Sequence, residues 1–155
     1  MHTLERIQRL PISVEKAWDF FSSSKNLKKI TPPYMGFYIQ SGGASPMYAG
    51  MLIKYTVTPL LGIPMKWVTE ITHVEDKKFF VDEQRVGPYA IWHHEHHFKA
   101  IPNGVEMTDI VNYKLPLGII GEWLEPFIVK RKVEEIFEYR NAKMLELFGE
   151  YKGEL

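Results

Sequence analysis

The chain places four of its six histidines within five residues, His93-His94-Glu95-His96-His97. Imidazoles at that density can ligate a metal, move protons or anchor a polar ligand, and the outcome depends on which of them share a side. In an extended strand successive side chains alternate, so His94 and His96 face one way while His93 and His97 face the other. Completed by Asp82 or Asp109, His94 and His96 would form a two-histidine, one-carboxylate metal set. His96 oriented by Asp109 would instead be a general base for an enolisation or a dehydration, which makes His96, Asp109, His94 and Asp82 the catalytic candidates. A third use needs neither metal nor reaction: a satisfied hydrogen-bond network that fixes sheet register and offers polar anchors to a bound molecule. Each imidazole has a carboxylate to pair with, and no clear third histidine ligand exists. The network is therefore the expectation, with no metal and no cofactor.

These side chains must be held by strands. After a first strand at 3–10, ended by Pro11, the pattern predicts six antiparallel strands at 35–41, 50–58, 64–75, 78–86, 90–100 and 104–115. Gly42-Gly43 through Gly50 and Pro59 to Pro64 are the longer loops; Asp76-Lys77, Gly87-Pro88 and Pro102-Asn103-Gly104 are tight turns. Tight turns fix register: the second pairs Asp82 with His94 and Phe80 with His96, and the third pairs His96 with Asp109 and Phe98 with Met107. One face then carries Trp67, Thr69, Ile71, Phe80, Asp82, Gln84, Trp92, His94, His96, Phe98, Met107, Asp109, Val111 and Tyr113. The opposite face carries Lys66, Glu70, Glu83, Arg85, His93, Glu95, His97, Lys99, Thr108 and Lys114. The first set is the interior, aromatic at its ends and polar at its centre.

Helices flank the strands. Ser13 is a good N-cap for an apolar stripe of Val14, Ala17, Trp18 and Phe21, and a short helix at 26–30 must stop before Pro32-Pro33. A long helix opens at Pro126 and runs to Phe148, with Val129, Val133, Ile136, Phe137, Met144 and Leu147 at helical spacing and Gly149 as its cap. Arg140 interrupts that stripe, and its reach extends to the polar cluster.

The chain has 155 residues, 45% hydrophobic and 25% charged, which excludes intrinsic disorder and fits one domain over 1–155. Nineteen basic residues balance nineteen acidic ones, so no net charge draws the protein to nucleic acid. No cysteine is present, which removes disulfides and thiolate chemistry and points to the cytoplasm; no apolar run reaches membrane-spanning length. Seven strands span about 34 Å, whereas one helix covers about 10–12 Å, so the sheet must curl around the helix to bury its apolar face. Such a half-barrel encloses a cavity expected at about 300–1,000 Å³. Met47, Tyr48, Met51, Leu60, Leu61, Ile119, Ile120 and Trp123 are apolar for loop positions and read as packing, a portal flanked by Gly42-Gly43, Gly118 and Gly121, or a homodimer surface.

Several motifs carry a resemblance. Trp67-Val68-Thr69-Glu70-Ile71-Thr72, Phe80-Val81-Asp82-Glu83-Gln84, Gly87-Pro88-Tyr89, Trp92 through Phe98, Thr108-Asp109, Tyr113 through Gly118 and Ile136 through Arg140 resemble an uncharacterised bacterial branch of the START-like, or SRPBCC, superfamily. The similarity spans nearly the whole chain. It implies an α+β helix-grip fold: a seven-stranded antiparallel curled sheet around a long C-terminal helix, with two small helices after the first strand. Members include lipid-transfer domains, pollen-allergen-like proteins, polyketide cyclases and ring-hydroxylase subunits, so the fold does not transfer an activity. The expected function is binding of an apolar small molecule or lipid-like ligand through Trp67, Phe80, Asp82, Gln84, Trp92, His94, His96, Phe98, Asp109, Tyr113 and Arg140. The alternatives are a cyclase or dehydratase using a His-Asp pair, and a protein–protein module with a filled interior.

Overall fold

The structure is a computed structural model that describes residues 1–42, 46–58, 62–116 and 129–153. Strand β1 (His2–Leu10) leads into α1 (Val14–Phe21), where the Ser13 hydroxyl accepts the Lys16 N–H at 3.2 Å and so satisfies one of the free donors of the first turn. Ala17, Trp18 and Phe21 are the buried side of this helix. The short α2 (Ser24–Leu27) continues into one turn of 3-10 helix at Lys28–Ile30, and a second such turn follows at Pro33–Met35. Gly36, at φ +54°, closes that second turn in the left-handed region that favours glycine. Residues 35–37, expected as strand, are therefore taken up by a proline-initiated turn and its exit.

Six strands follow: β2 (Tyr38–Ser41), β3 (Leu52–Val57), β4 (Met65–Glu75), β5 (Phe79–Val86), β6 (Ile91–Ile101) and β7 (Gly104–Lys114). The long helix α3 (Lys130–Phe148) comes last and stops at Gly149, whose N–H donates to the Leu145 carbonyl at 2.9 Å. Its expected opening at Pro126, and Gly43, Leu60, Leu61, Gly118, Ile119, Ile120, Gly121 and Trp123 of the apolar loops, lie outside the described residues. The sheet is antiparallel and open, in the order β1-β7-β6-β5-β4-β3-β2, with the two ends of the sheet formed by β1 and β2. It curls around α3 in the α+β helix-grip arrangement. Among the described residues no helix is long and apolar enough to cross a membrane.

Register follows the tight turns. Asp82 pairs with His94, Phe80 with His96, His96 with Asp109 and Phe98 with Met107. Lys77 and Asn103 hold the left-handed conformation that two of these turns need, at φ +60° and +58°. Strand β4 departs from simple alternation: the register shifts between Val68 and Thr69 and again between Ile71 and His73. Irregularities of this kind bend a strand and re-aim its side chains, and beyond the second one Val74, facing Phe80, joins the inward packing.

Three clusters of buried side chains fill the concave side. Under α1, Trp18 meets Phe80 and Phe98 edge-on, with centroids 5.9 and 5.6 Å away. Under β2 to β4 lie Met35, Phe37, Met51, Ile53, Tyr55, Val57, Trp67 and Ile71. Val129, just before α3, and Val133 and Phe137 of α3 pack on Leu4, Val111 and Tyr113. Burial of each large apolar side chain stabilises the fold by about 1.5–3 kcal/mol. Leu147, expected in the α3 stripe, is 45% exposed; Met144 is the final fully buried contact, and the last turn packs instead through Phe148, four residues on, whose ring meets Phe20 with centroids 5.1 Å apart.

A cavity ending in a histidine–aspartate–arginine cluster

Between the three clusters the sheet and α3 leave a cavity of about 180 Å³. It is smaller than expected because Phe37, Tyr55, Trp67, Tyr89, Trp92 and Phe137 fill the concavity with rings. α2 and the adjoining 3-10 turn contribute Ser24, Leu27 and Ile30 to its wall. Met47 forms part of the wall, Met51 is buried in the core, and Tyr48 is 59% exposed, so the described apolar loop residues serve three different ends.

The polar end is built by β5, β6, β7 and α3. His94 and His96 stand side by side with ring centroids 3.7 Å apart, as residues two apart on one strand must. Their hydrogen bonds run crosswise to the strand pairing: His94 Nε2 donates to Asp109 Oδ1 at 3.0 Å, and His96 Nε2 donates to Asp82 Oδ2 at 2.8 Å. His96 Nδ1 also lies 2.9 Å from Asp109 Oδ1 but off the line a hydrogen bond needs, so that contact is an ion pair without a directed bond. Arg140 reaches in from α3, with Nη1 3.3 Å from the same Asp109 oxygen and its guanidinium near the Phe21 and Phe137 rings at 5.2 and 5.7 Å. Phe80 stacks on His96 with centroids 4.1 Å apart.

Burial and charge act against each other here. Burial pushes the Asp109 carboxyl up, but Arg140 and the two histidine contacts hold it well below the ordinary carboxylate value. Asp82, also pushed up by burial, is held below its usual value by the His96 bond and the neighbouring positive charges. Burial and the charge of His96 lower His94, so His94 is the neutral ring. Burial also lowers His96, yet Asp109 and Asp82 more than offset it and the ring holds its proton more tightly than usual. With His96 protonated the set balances: two carboxylates against one imidazolium and one guanidinium.

Of the eleven residues expected at a ligand site, Trp67, Phe80, Asp82, Trp92, His94, His96 and Arg140 are on the cavity wall. The other four are placed differently. Gln84 clamps the turn after β5, its amide donating to the Tyr89 carbonyl at 2.6 Å and accepting the Tyr89 N–H at 3.2 Å. Phe98 packs under Trp18, Tyr113 packs against Trp92 and Tyr89, and Asp109 stands behind the two histidines. On the convex face His93 pairs with Glu83 and His97 with Glu95.

Sequence reasoning missed Tyr55. Its hydroxyl lies 2.8 Å from Thr69 Oγ1, which also accepts the Trp67 indole N–H at 3.1 Å, giving the cavity a second, neutral polar spot. Burial first, and then the Asp82 charge, pushes the Tyr55 phenol up, so it stays protonated. The buried alternation of Ile53, Tyr55 and Val57 along β3 was the available signal. Ligand atoms of Asp82, His94 and His96 lie within 4.8 Å of one another, close enough to share a cation, although the imidazole donors are already turned onto carboxylates.

The sequence matches no protein-family model and no curated protein. Solved structures are similar in fold. A Chromobacterium violaceum protein, CV1439, superposes with a TM-score of 0.72 at 11% identity, covering 97% of this chain and 100% of that one. A START superfamily protein from Mycobacterium smegmatis gives 0.68 at 10% identity over 95% and 99% of the two chains. Ara h 8.0201 gives 0.56 at 18% identity over 94% and 98%.

Proposed function

We propose that this START-like fold serves to bind a compact, mostly apolar small molecule, with rings of the sheet and α3 around its body and the polar cluster at one end. The supporting observation is the cavity itself: about 180 Å³ of space walled mainly by apolar side chains, with four ionisable groups confined to one end. A dry cavity of about 150 Å³ suffices for benzene, so a molecule of one or two rings suits this volume better than a long acyl chain. An open interior also favours ligand binding over a protein–protein module with a filled core. The cysteine-free composition supports a cytoplasmic setting.

A second reading rests on His96, which lines the cavity and holds its proton. In a cyclase or dehydratase it would serve as a general acid, because both ring nitrogens already face carboxylates and neither is a free base. The test is native mass spectrometry of freshly purified protein, followed by titration with aromatic and terpenoid probes read by tryptophan fluorescence, since Trp67 and Trp92 are on the wall. Binding is expected below about 100 µM, or about −5.5 kcal/mol, and Trp92→Ala should weaken it for most probes. Failure of every probe, with nothing carried through purification, overturns the binding reading. Time-dependent conversion of a probe, abolished by His96→Ala, would favour the enzyme.

A further inference from the structure

The polar end has unused hydrogen-bonding capacity of both signs. Asp82 places Oδ2 on His96, while Oδ1 has no hydrogen-bond partner among the described residues, and the side chain borders the cavity at 16% exposure. Arg140 carries five N–H donors, and among the described residues none of them is in a hydrogen bond; the 3.3 Å approach to Asp109 is its one ion pair. The guanidinium also borders the cavity and is 11% exposed. A carboxylate acceptor and a guanidinium donor thus open on the same small space. At the neutral polar spot Thr69 Oγ1 is already engaged by both Tyr55 and Trp67.

Charge decides what these two groups accept. Asp82 and Asp109 face Arg140 and His96 within 3.3 Å, so with His96 protonated and His94 neutral the buried end carries no net charge before a ligand enters. An anionic head group would meet Arg140 but add an uncompensated negative charge beside Asp82, and an ammonium would pair with Asp82 but stand against Arg140 and His96. A group that is neutral, with a donor next to an acceptor, satisfies both openings and leaves the balance intact.

Resting on the binding function proposed above, we propose that the cavity selects ligands with an uncharged head group offering a hydrogen-bond donor beside an acceptor, as in a primary amide or a hydroxy-ketone. The donor is received by Asp82 Oδ1 and the acceptor by Arg140. Carboxylates and amines of the same shape are rejected.

The test is a head-group series on one bicyclic body, titrated at pH 7: 2-naphthamide, 2-naphthoate, 2-(aminomethyl)naphthalene and 2-methylnaphthalene. The amide should bind at least about tenfold more tightly than each of the other three. Asp82→Asn should relax the rejection of naphthoate, and Arg140→Met should bring the amide down to the level of methylnaphthalene. Naphthoate or the amine binding as tightly as the amide overturns the head-group assignment while leaving the cavity function standing. Failure of the whole series, methylnaphthalene included, overturns both. The comparison among ligands on the unmodified protein decides the matter even if a variant does not fold.

Discussion

Asp109→Asn is the sharpest probe of the buried cluster, because His94 Nε2, His96 Nδ1 and Arg140 Nη1 all converge on one Asp109 oxygen, at 3.0, 2.9 and 3.3 Å. The substitution keeps shape and an acceptor oxygen but removes the charge, leaving an imidazolium and a guanidinium facing Asp82 alone. Breaking a buried ion pair costs about 3–5 kcal/mol, and the lower end applies here because His96 can shed its proton. We expect a loss of about 3 kcal/mol at pH 6, or about 6–12 °C in Tm for a chain of this size. Urea unfolding followed by tryptophan fluorescence reads it directly. The pH dependence adds a second check. His96 is raised from 6.5, so its contribution is complete below that value and is lost as pH rises through the raised one. Once the pH has risen through that raised value the unmodified protein has lost this term too, and the gap to Asp109→Asn should narrow. A variant within about 1 kcal/mol of the parent at pH 6, or a penalty that grows as the pH is raised, refutes the charge balance.

The remaining predictions follow from single contacts. Acidification should destabilise the parent in two stages, first below 6.5 as neutral, buried His94 is forced to charge, then as pH falls through the depressed values of Asp82 and Asp109, which lie below 3.8; a Tm flat from pH 7 to pH 4 would contradict this. Thr69→Val removes the partner of both Tyr55 and Trp67 and should cost about 1–3 kcal/mol in urea unfolding, with part of it regained in the double variant with Tyr55→Phe. Gly42→Ala would set a methyl 2.1 Å from the Leu52 carbonyl at φ +88° and should cost about 2–4 kcal/mol, against about 1–2 kcal/mol for Gly50→Ala, which has the same strain but open space around it. Metal analysis of untagged protein should give substoichiometric zinc, iron and nickel; one equivalent, lost in His94→Ala, would overturn the hydrogen-bonded network in favour of a metal centre.

Register from β5 to β7 was legible in the sequence because the tight turns at Gly87-Pro88 and Pro102-Asn103-Gly104 fix which residues oppose each other, and alternation then puts His94, His96, Asp82 and Asp109 on one face. What alternation cannot reveal is lean. The imidazoles bond crosswise, His94 to Asp109 and His96 to Asp82, because side chains of this length tilt along the strand toward diagonal neighbours. The two shifts in β4 were equally invisible, since neither has a proline or glycine to mark it. Tyr55 and Tyr89 escaped because their importance lies in what they face across the cavity, contacts far apart in the chain. Gln84 was read as a ligand contact from parity alone; its partner, the backbone of Tyr89, follows from the shape of the turn.

The pairing of β1 with β7 sets the order in which this molecule can assemble. Leu4 sits opposite Val111 and Leu10 opposite Val105, about a hundred residues apart in the chain, while every other strand pairs with its sequence neighbour. On the ribosome the first strand emerges with no edge to join and must wait until β7 is made. The β4-to-β7 meander, with its short loops, can nucleate alone, whereas closing the loop from β1 carries a large entropic cost late in the process. Slow final docking follows, and pulse-labelled hydrogen exchange should find the β1 amides protected after those of β5 and β6. Until that step the outer edge of β7 is bare, and it is the surface on which two nascent chains would most readily misassociate.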